Sequence, residues 1–188
     1  MAHALEIRRT ADQELPALIQ AFGQEWFFKD RLSRQHEGRG ELLIAWAGRR
    51  PVGNLYLWLE PADEPELRLH LPGVPLLNHI EVHEPQRRQG YGRALILGAE
   101  QAVREWHKHR RVALAVIPDN VDAARLYERL GYHDWGNGEV NAAVIRPDGA
   151  ERGEFEVCRI LTKSLPGTAR PEVPFHLRER EAQRLEMN

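Results

Sequence analysis

The chain predicts an α/β (α+β) domain with helices packed on one mixed sheet, and three observations lead there. Strand-like and helix-like segments follow the order β-α-α-β-β-β-α-β-α-β-β. Three consecutive strand segments between residues 41 and 84 require antiparallel pairing. The run "RVALAVI" (111–117) is continuously apolar and rich in β-branched residues, as in a strand covered on both faces.

Each element has its own signal. "LEIRRT" (5–10) reads as a short strand. In the following stretch Leu15, Leu18, Ile19, Phe22 and Trp26 recur at steps of three and four, which is helical, and Gly23 divides it into two helices. "ELLIAWAG" (41–48) and "PVGNLYLWLE" (51–60) flank "GRRP" as a hairpin. Proline and acid in residues 61–75 predict a loop with an edge strand, and "LLNHIEVHE" (76–84) the next strand. A helix is expected over 91–108, with Leu95, Gly98 or Ala99, Ala102 and Trp106 on its core face, and another over 120–131. Strands near 140–146 and 155–162 complete the sheet. From Pro166 the chain turns linker-like and then highly charged, so 166–188 is expected to be a weakly attached or disordered extension, with a partner-contacting helix as the alternative.

Bulk properties bound the function. At 188 residues there is room for one substantial domain and a core that needs no staples. A formal charge of −2 removes the electrostatic case for a nucleic-acid partner. The single cysteine, Cys158, excludes an internal disulfide framework, points to a reducing compartment, and in "FEVCRIL" reads as a buried thiol. No run approaches the ~18 consecutive apolar residues of a membrane span, and "MAHALEIRRT" holds no apolar secretory core. The expectation is a cytoplasmic protein with no membrane partner.

The least ordinary stretch is "EPQRRQGYGRALILGAEQAV" (84–103), where Arg87, Arg88 and Arg93 surround Gly90 and Gly92 at the mouth of a helix. A helix start exposes unpaired N–H groups and partial positive charge. Glycines let a ligand approach those amides, and arginines pair with phosphate oxygens. Such a turn is an anion cradle suited to a pyrophosphate. It is not a Walker loop, because Gly-x-x-x-x-Gly-Lys-Ser/Thr is absent. Nor is it a Rossmann fingerprint, whose third glycine is replaced by Leu95. A solvated basic turn capping an ordinary helix is the plainer alternative. A second constellation, "VIPDNVDAARLYERLGY" (116–132), follows a buried strand with a capped helix: Asp119 or Asn120 at its start and Gly131 at its end.

Together these stretches resemble the GNAT superfamily of acyl-CoA-dependent N-acetyltransferases. Arg87-Arg88-Gln89-Gly90-Tyr91-Gly92 matches the family's Q/R-x-x-G-x-G/A signature, and "IEVHEP", Asn120, Tyr127 and "ERLGY" support the match over about residues 77–133. The resemblance implies a GNAT-like mixed, mostly antiparallel sheet flanked by helices, with the fourth and fifth strands splayed, in a single domain over 1–165. It implies that Arg87, Arg88, Gln89, Gly90, Tyr91, Gly92 and Arg93 hold the pyrophosphate of acetyl-CoA. Backbone groups of Val82 and His83 would pair with the pantetheine arm, Asn120 would lie near the thiol end, and Tyr127 beside the sulfur.

The implied reaction moves an acetyl group from acetyl-CoA to a primary amine of a small molecule or peptide by direct attack, with Tyr127 as general acid to the thiolate. The alternatives are a non-catalytic acyl-CoA sensor and a transferase of longer acyl groups. For the base, His79, Glu81 and His83 alternate with Asn78, Ile80 and Val82 and face the other way. Glu81 is the choice, His79 and His83 are rivals, and Glu154 or Glu156 is a further candidate. Asp63, Glu64 and Glu66 would draw in a cationic amine or merely solvate a loop; Trp26, Phe27 and Phe28 would line the acceptor cleft or seat a helix. No metal site is expected: His79 and His83 lie about 13 Å apart along a strand, too far to share one ion. Family members are often dimers, so a homodimer is possible.

Overall fold

The computed structural model describes residues 4–143 and 155–166. Its elements are β1 (Leu5–Arg9), α1 (Leu15–Phe22), α2 (Glu25–His36), β2 (Gly40–Ala47), β3 (Arg50–Trp58), α3 (Pro65–His70), β4 (Leu76–Val82), α4 (Tyr91–Glu105), β5 (Arg111–Val116), α5 (Val121–Arg129), β6 (His133–Ala143) and β7 (Phe155–Ser164). The strands form one seven-stranded sheet in the order β1-β2-β3-β4-β5-β7-β6. Only β4 and β5 run parallel; every other neighbouring pair is antiparallel.

Strand periodicity sorts the core into two layers. On β2, Leu42, Ile44 and Trp46 join Leu18, Phe27, Phe28 and Leu32 beneath α1 and α2. Leu43 and Ala45, one step out of phase, join Leu95, Ile96, Ala99 and Val103 beneath α4. A smaller cluster ties α3 to the far strands through Leu67, Trp135, Val140, Cys158 and Ile160, so Cys158 is a buried free thiol.

Gly23 does divide the first helical stretch: at φ 70° it ends α1, and its N–H donates to Ile19 O at 2.8 Å. The hairpin turn falls at "GRRP", with Gly48 at φ 63°. Other expectations are corrected. Residues 61–75 hold α3 rather than an edge strand: Pro65 sits at the helix start and Glu66 in the first turn, both favourable there. Glu66 thus lies in a helix first turn, with Asp63 and Glu64 just ahead of it. β6 begins at His133, seven residues before the strand expected from 140. Trp106 is 55% exposed and not on the core face of α4, which uses Leu95, Ile96, Ala99, Ala102 and Val103. Residues 144–146, Glu154 and the charged stretch from residue 167 lie outside the described residues.

Candidate functional site

The sheet opens between β4 and β5. Their ladder has two rungs, Leu76 with Ala113 and Leu77 with Leu114, and none beyond. On its other side β4 stays paired with β3 as far as Val82 opposite Gly53. The N–H of His83 then donates to Val52 O at 3.0 Å. Backbone groups alternate in direction along a strand, so those of Val82 point the other way, toward the gap left by β5. The structure differs from expectation at His83: its N–H belongs to β3 and its carbonyl accepts Gln86 N–H at 2.8 Å. The free strand edge is therefore represented by Val82, whose carbonyl also receives Arg87 Nε at 3.3 Å.

Beyond β4 a short 3-10 turn (Glu84–Gln86) leads to α4. The Arg87 N–H is tied to Glu84 O at 3.1 Å. Among the described residues no carbonyl or side chain accepts from the amides of residues 88–93. Two left-handed residues shape this turn, Arg88 at φ 63° and Gly90 at φ 83°. Gly90 is the N-cap, and its carbonyl starts the helix by accepting Ala94 N–H at 3.0 Å. A Cβ built on Gly90 would meet nothing within 4 Å, so the space beside this residue is open. One on Gly92 would touch Leu126 and Val82 at 3.7 Å, which places the helix mouth against both α5 and the free edge of β4. The Arg87, Arg88 and Arg93 side chains are exposed around this opening. Unpaired amides, a helix dipole and three guanidinium groups fit a pyrophosphate.

Glu81 lies on the opposite face of the sheet, toward α1 and α2. Gln24 Nε2 donates to Glu81 Oε2 at 2.9 Å, Asn54 Nδ2 donates to the same oxygen at 3.0 Å, and His79 Nε2 lies 3.3 Å from it. Burial by itself would push this carboxyl up, but His79, Asn54 and Gln24 together outweigh it and hold Glu81 below the ordinary carboxylate range. A β-bulge sits here. Tyr56 pairs with Asn78 and Asn54 with Glu81, so Leu55 alone faces both His79 and Ile80. His79 takes φ 50°, a conformation that costs a non-glycine residue about 1–2 kcal/mol. The bulge corrects the simple alternation. His79, Glu81 and His83 do share a face, shown by their contacts with Phe27, Gln24 and Phe22, but Asn78 joins them by pairing with Tyr56. Phe27 seats α2 in its core and also stacks on His79, with ring centroids 4.0 Å apart. Trp26 is 42% exposed and Phe28 fully buried.

Gln24 and Asn54 were missed by sequence reasoning. Asn54 carried a usable signal: it is the one amide side chain inside "VGNLYLW", and a buried amide in an apolar strand needs a partner. Their amide oxygens, Gln24 Oε1 and Asn54 Oδ1, are buried without a protein partner among the described residues.

On the α4 face, Tyr127 is 7% exposed and packs in the same cluster as Leu77, Leu114 and Val116 of the two diverging strands. Burial pushes its phenol up to about 12, so it stays protonated at neutral pH. Asn120 caps α5, its Oδ1 accepting Ala123 N–H at 3.2 Å, and Gly131 follows the helix at φ 86°. An open pocket of about 400 Å³ lies between α1 and the β2–β3 turn, bounded by Gln20, Arg49, Arg50 and His83, on the side of the sheet that carries Glu81. Among the described residues no three histidine, cysteine or carboxylate side chains gather as a metal site, and no helix is long and apolar enough to cross a membrane. Glu156 is exposed on β7.

Comparison with known proteins agrees with this geometry. No curated protein matches the chain by sequence. Among solved structures, it is similar to the ribosomal-protein-S18-alanine N-acetyltransferase of Escherichia coli, with TM-score 0.59 and 19% identity over 92% of this chain and 100% of that one. It is similar to NAA60 of Arabidopsis thaliana, crystallised with a bisubstrate analogue, with TM-score 0.62 and 17% identity over 88% and 100%. It is also similar to the spermidine/spermine N-acetyltransferase SpeG of Vibrio cholerae, with TM-score 0.61 and 14% identity over 85% and 92%. At these identities the likeness is one of fold. The profile of the Acetyltransferase (GNAT) family matches residues 6–132, most of the chain, and spans both the opened sheet and the helix-mouth cradle; this protein belongs to the GNAT acetyltransferase family.

Proposed function

We propose that this protein is an acetyl-CoA-dependent N-acetyltransferase acting on a primary amine. The observation that carries the reading is the placement of unpaired amides at residues 88–93 directly beyond the free edge of β4. A ligand with a diphosphate at one end and an extended amide-bearing arm suits both features at once. Arg87, Arg88, Gln89, Gly90, Tyr91, Gly92 and Arg93 would hold the diphosphate. Val82 would pair with the arm, and Asn120 would border it from the start of α5.

Bound acetyl-CoA supplies an activated acyl group; the rest of the chemistry belongs to the chain. The outward-pointing N–H of Val82 is the candidate donor to the carbonyl oxygen as it gains charge. Tyr127 keeps its phenolic proton at neutral pH and is the candidate acid for the departing thiolate. Glu81 supplies fixed negative charge on the acceptor side, where a protonated amine must arrive and lose a proton before it can attack.

A primary-amine library incubated with acetyl-CoA, read by release of free thiol, tests the activity. Tyr127→Phe is expected to lower turnover about 100-fold or more while calorimetry shows CoA affinity unchanged. CoA binding without thiol release from any amine would instead favour an acyl-CoA sensor.

A further inference from the structure

Glu81 is less suited to accepting a proton than its place on β4 suggests. Two amide donors converge on Oε2, His79 Nε2 lies 3.3 Å from the same oxygen, and the group is held in its anionic form. A carboxylate so stabilised is a weak base toward an ammonium ion. The neighbour it holds is better placed. His79 is inserted by the β-bulge, in a backbone conformation that side chains adopt only where their surroundings enforce it. Phe27 fixes one face of its ring at 4.0 Å. Glu81 fixes one edge, with Nε2 at 3.3 Å. A carboxylate this close to Nε2 favours the ring proton on that nitrogen, which leaves the lone pair on Nδ1. The side chain is about one-third exposed, so part of the ring reaches solvent.

We propose that His79 is the general base of the acceptor side, taking the amine proton at Nδ1, with Glu81 as the residue that orients it. This rests on the N-acetyltransferase reading of the same site. The proton balance is complete. One N–H bond of the ammonium breaks as Nδ1–H forms, giving an imidazolium whose Nε2–H stays on Glu81. The freed lone pair makes the C–N bond as the C–S bond breaks. Tyr127 protonates the thiolate and is reprotonated by the second amine proton. The imidazolium then returns its proton to solvent, so each turnover releases one proton.

The test uses His79→Asn, because asparagine tolerates the left-handed backbone and keeps a donor for Glu81. Calorimetry with CoA comes first: if the wild type does not bind, it is the functional reading that fails. Given binding, thiol release is measured at pH 7 with n-butylamine and with hydroxylamine, which is already neutral. H79N is expected to lose about 100-fold in kcat with n-butylamine, clearly less with hydroxylamine, and nothing in CoA affinity. E81Q is expected to lose less than H79N. Long-range ¹⁵N spectra of the substrate-free protein should show neutral His79 protonated at Nε2, and E81Q should mix the two tautomers. H79N within threefold of wild type, an equal loss with both amines, or a resting proton on Nδ1 would each overturn the assignment. If neither amine is turned over by a wild type that binds CoA, the spectra alone decide.

Discussion

A side chain at position 90 would have to hold φ 83° and would project into open space above the mouth of α4. Those two facts separate strain from obstruction. Gly90→Ala adds the left-handed penalty of about 1–2 kcal/mol. For a chain of this size that lowers the melting temperature by about 2–8 °C. Gly90→Glu adds bulk and negative charge where an anion is expected, so calorimetry should show CoA binding lost while circular dichroism shows the fold retained. Unchanged affinity in Gly90→Glu would remove the cradle from consideration. Tyr127 makes a prediction of a different sign. Burial raises its phenol from 10 to about 12, so the folded protein keeps this proton where the unfolded chain has lost it. Its contribution to stability is therefore complete below pH 10 and is lost as pH rises toward 12. If Tyr127 is the acid, the alkaline limb of kcat that it sets should lie above pH ~10. A limb belonging to this residue near pH 8 would contradict the buried geometry.

At the scale of elements, α4 is held against β1 unusually closely. A Cβ on Gly98 would come within 2.6 Å of Ile7 Cγ2 and 3.1 Å of Ile7 Cβ. Ile7 is β-branched and stiff, so it cannot swing away, and the strand or the helix must move. Gly98→Val is expected to destabilise by about 1–3 kcal/mol, read as a fall of about 2–12 °C in melting temperature. Ile7→Ala in the same chain should recover part of that loss; an additive double variant would show that the two do not meet. The period of three and four along 91–108 found the helix but placed Trp106 on its core face, because periodicity knows nothing of where the sheet ends. Gly23 and "GRRP" were legible because backbone punctuation is local. The bulge at His79 was not: an inserted residue is defined by the partner strand, and single-strand alternation cannot register it. α3 was read as a loop for a local reason. Pro65 and its neighbouring acids are loop-like by composition and helix-starting by position.

Over the whole molecule, the two core layers meet across a sheet that is continuous except between β4 and β5. The antiparallel pairing of β2, β3 and β4 was foreseeable, but the insertion of β7 between β5 and β6 was not, since a hairpin does not announce which arm turns inward. The parallel β4–β5 junction, with two rungs, is the weakest seam in the sheet, and the proposed ligand would lie across it. A ligand that binds only the folded state stabilises it by mass action, about 2.7 kcal/mol at one hundred times its dissociation constant. For a chain of this length that corresponds to a rise of about 5–11 °C in melting temperature. Saturating CoA should produce that shift in the wild type, none in Gly90→Glu, and nearly the full shift in Tyr127→Phe, which leaves the cradle and the edge of β4 untouched. Amide exchange adds location: protection on adding CoA should appear at residues 88–93 and at Val82, and not at His83, whose N–H is already held by Val52. A thermal shift without protection at those amides would place the ligand elsewhere on the molecule.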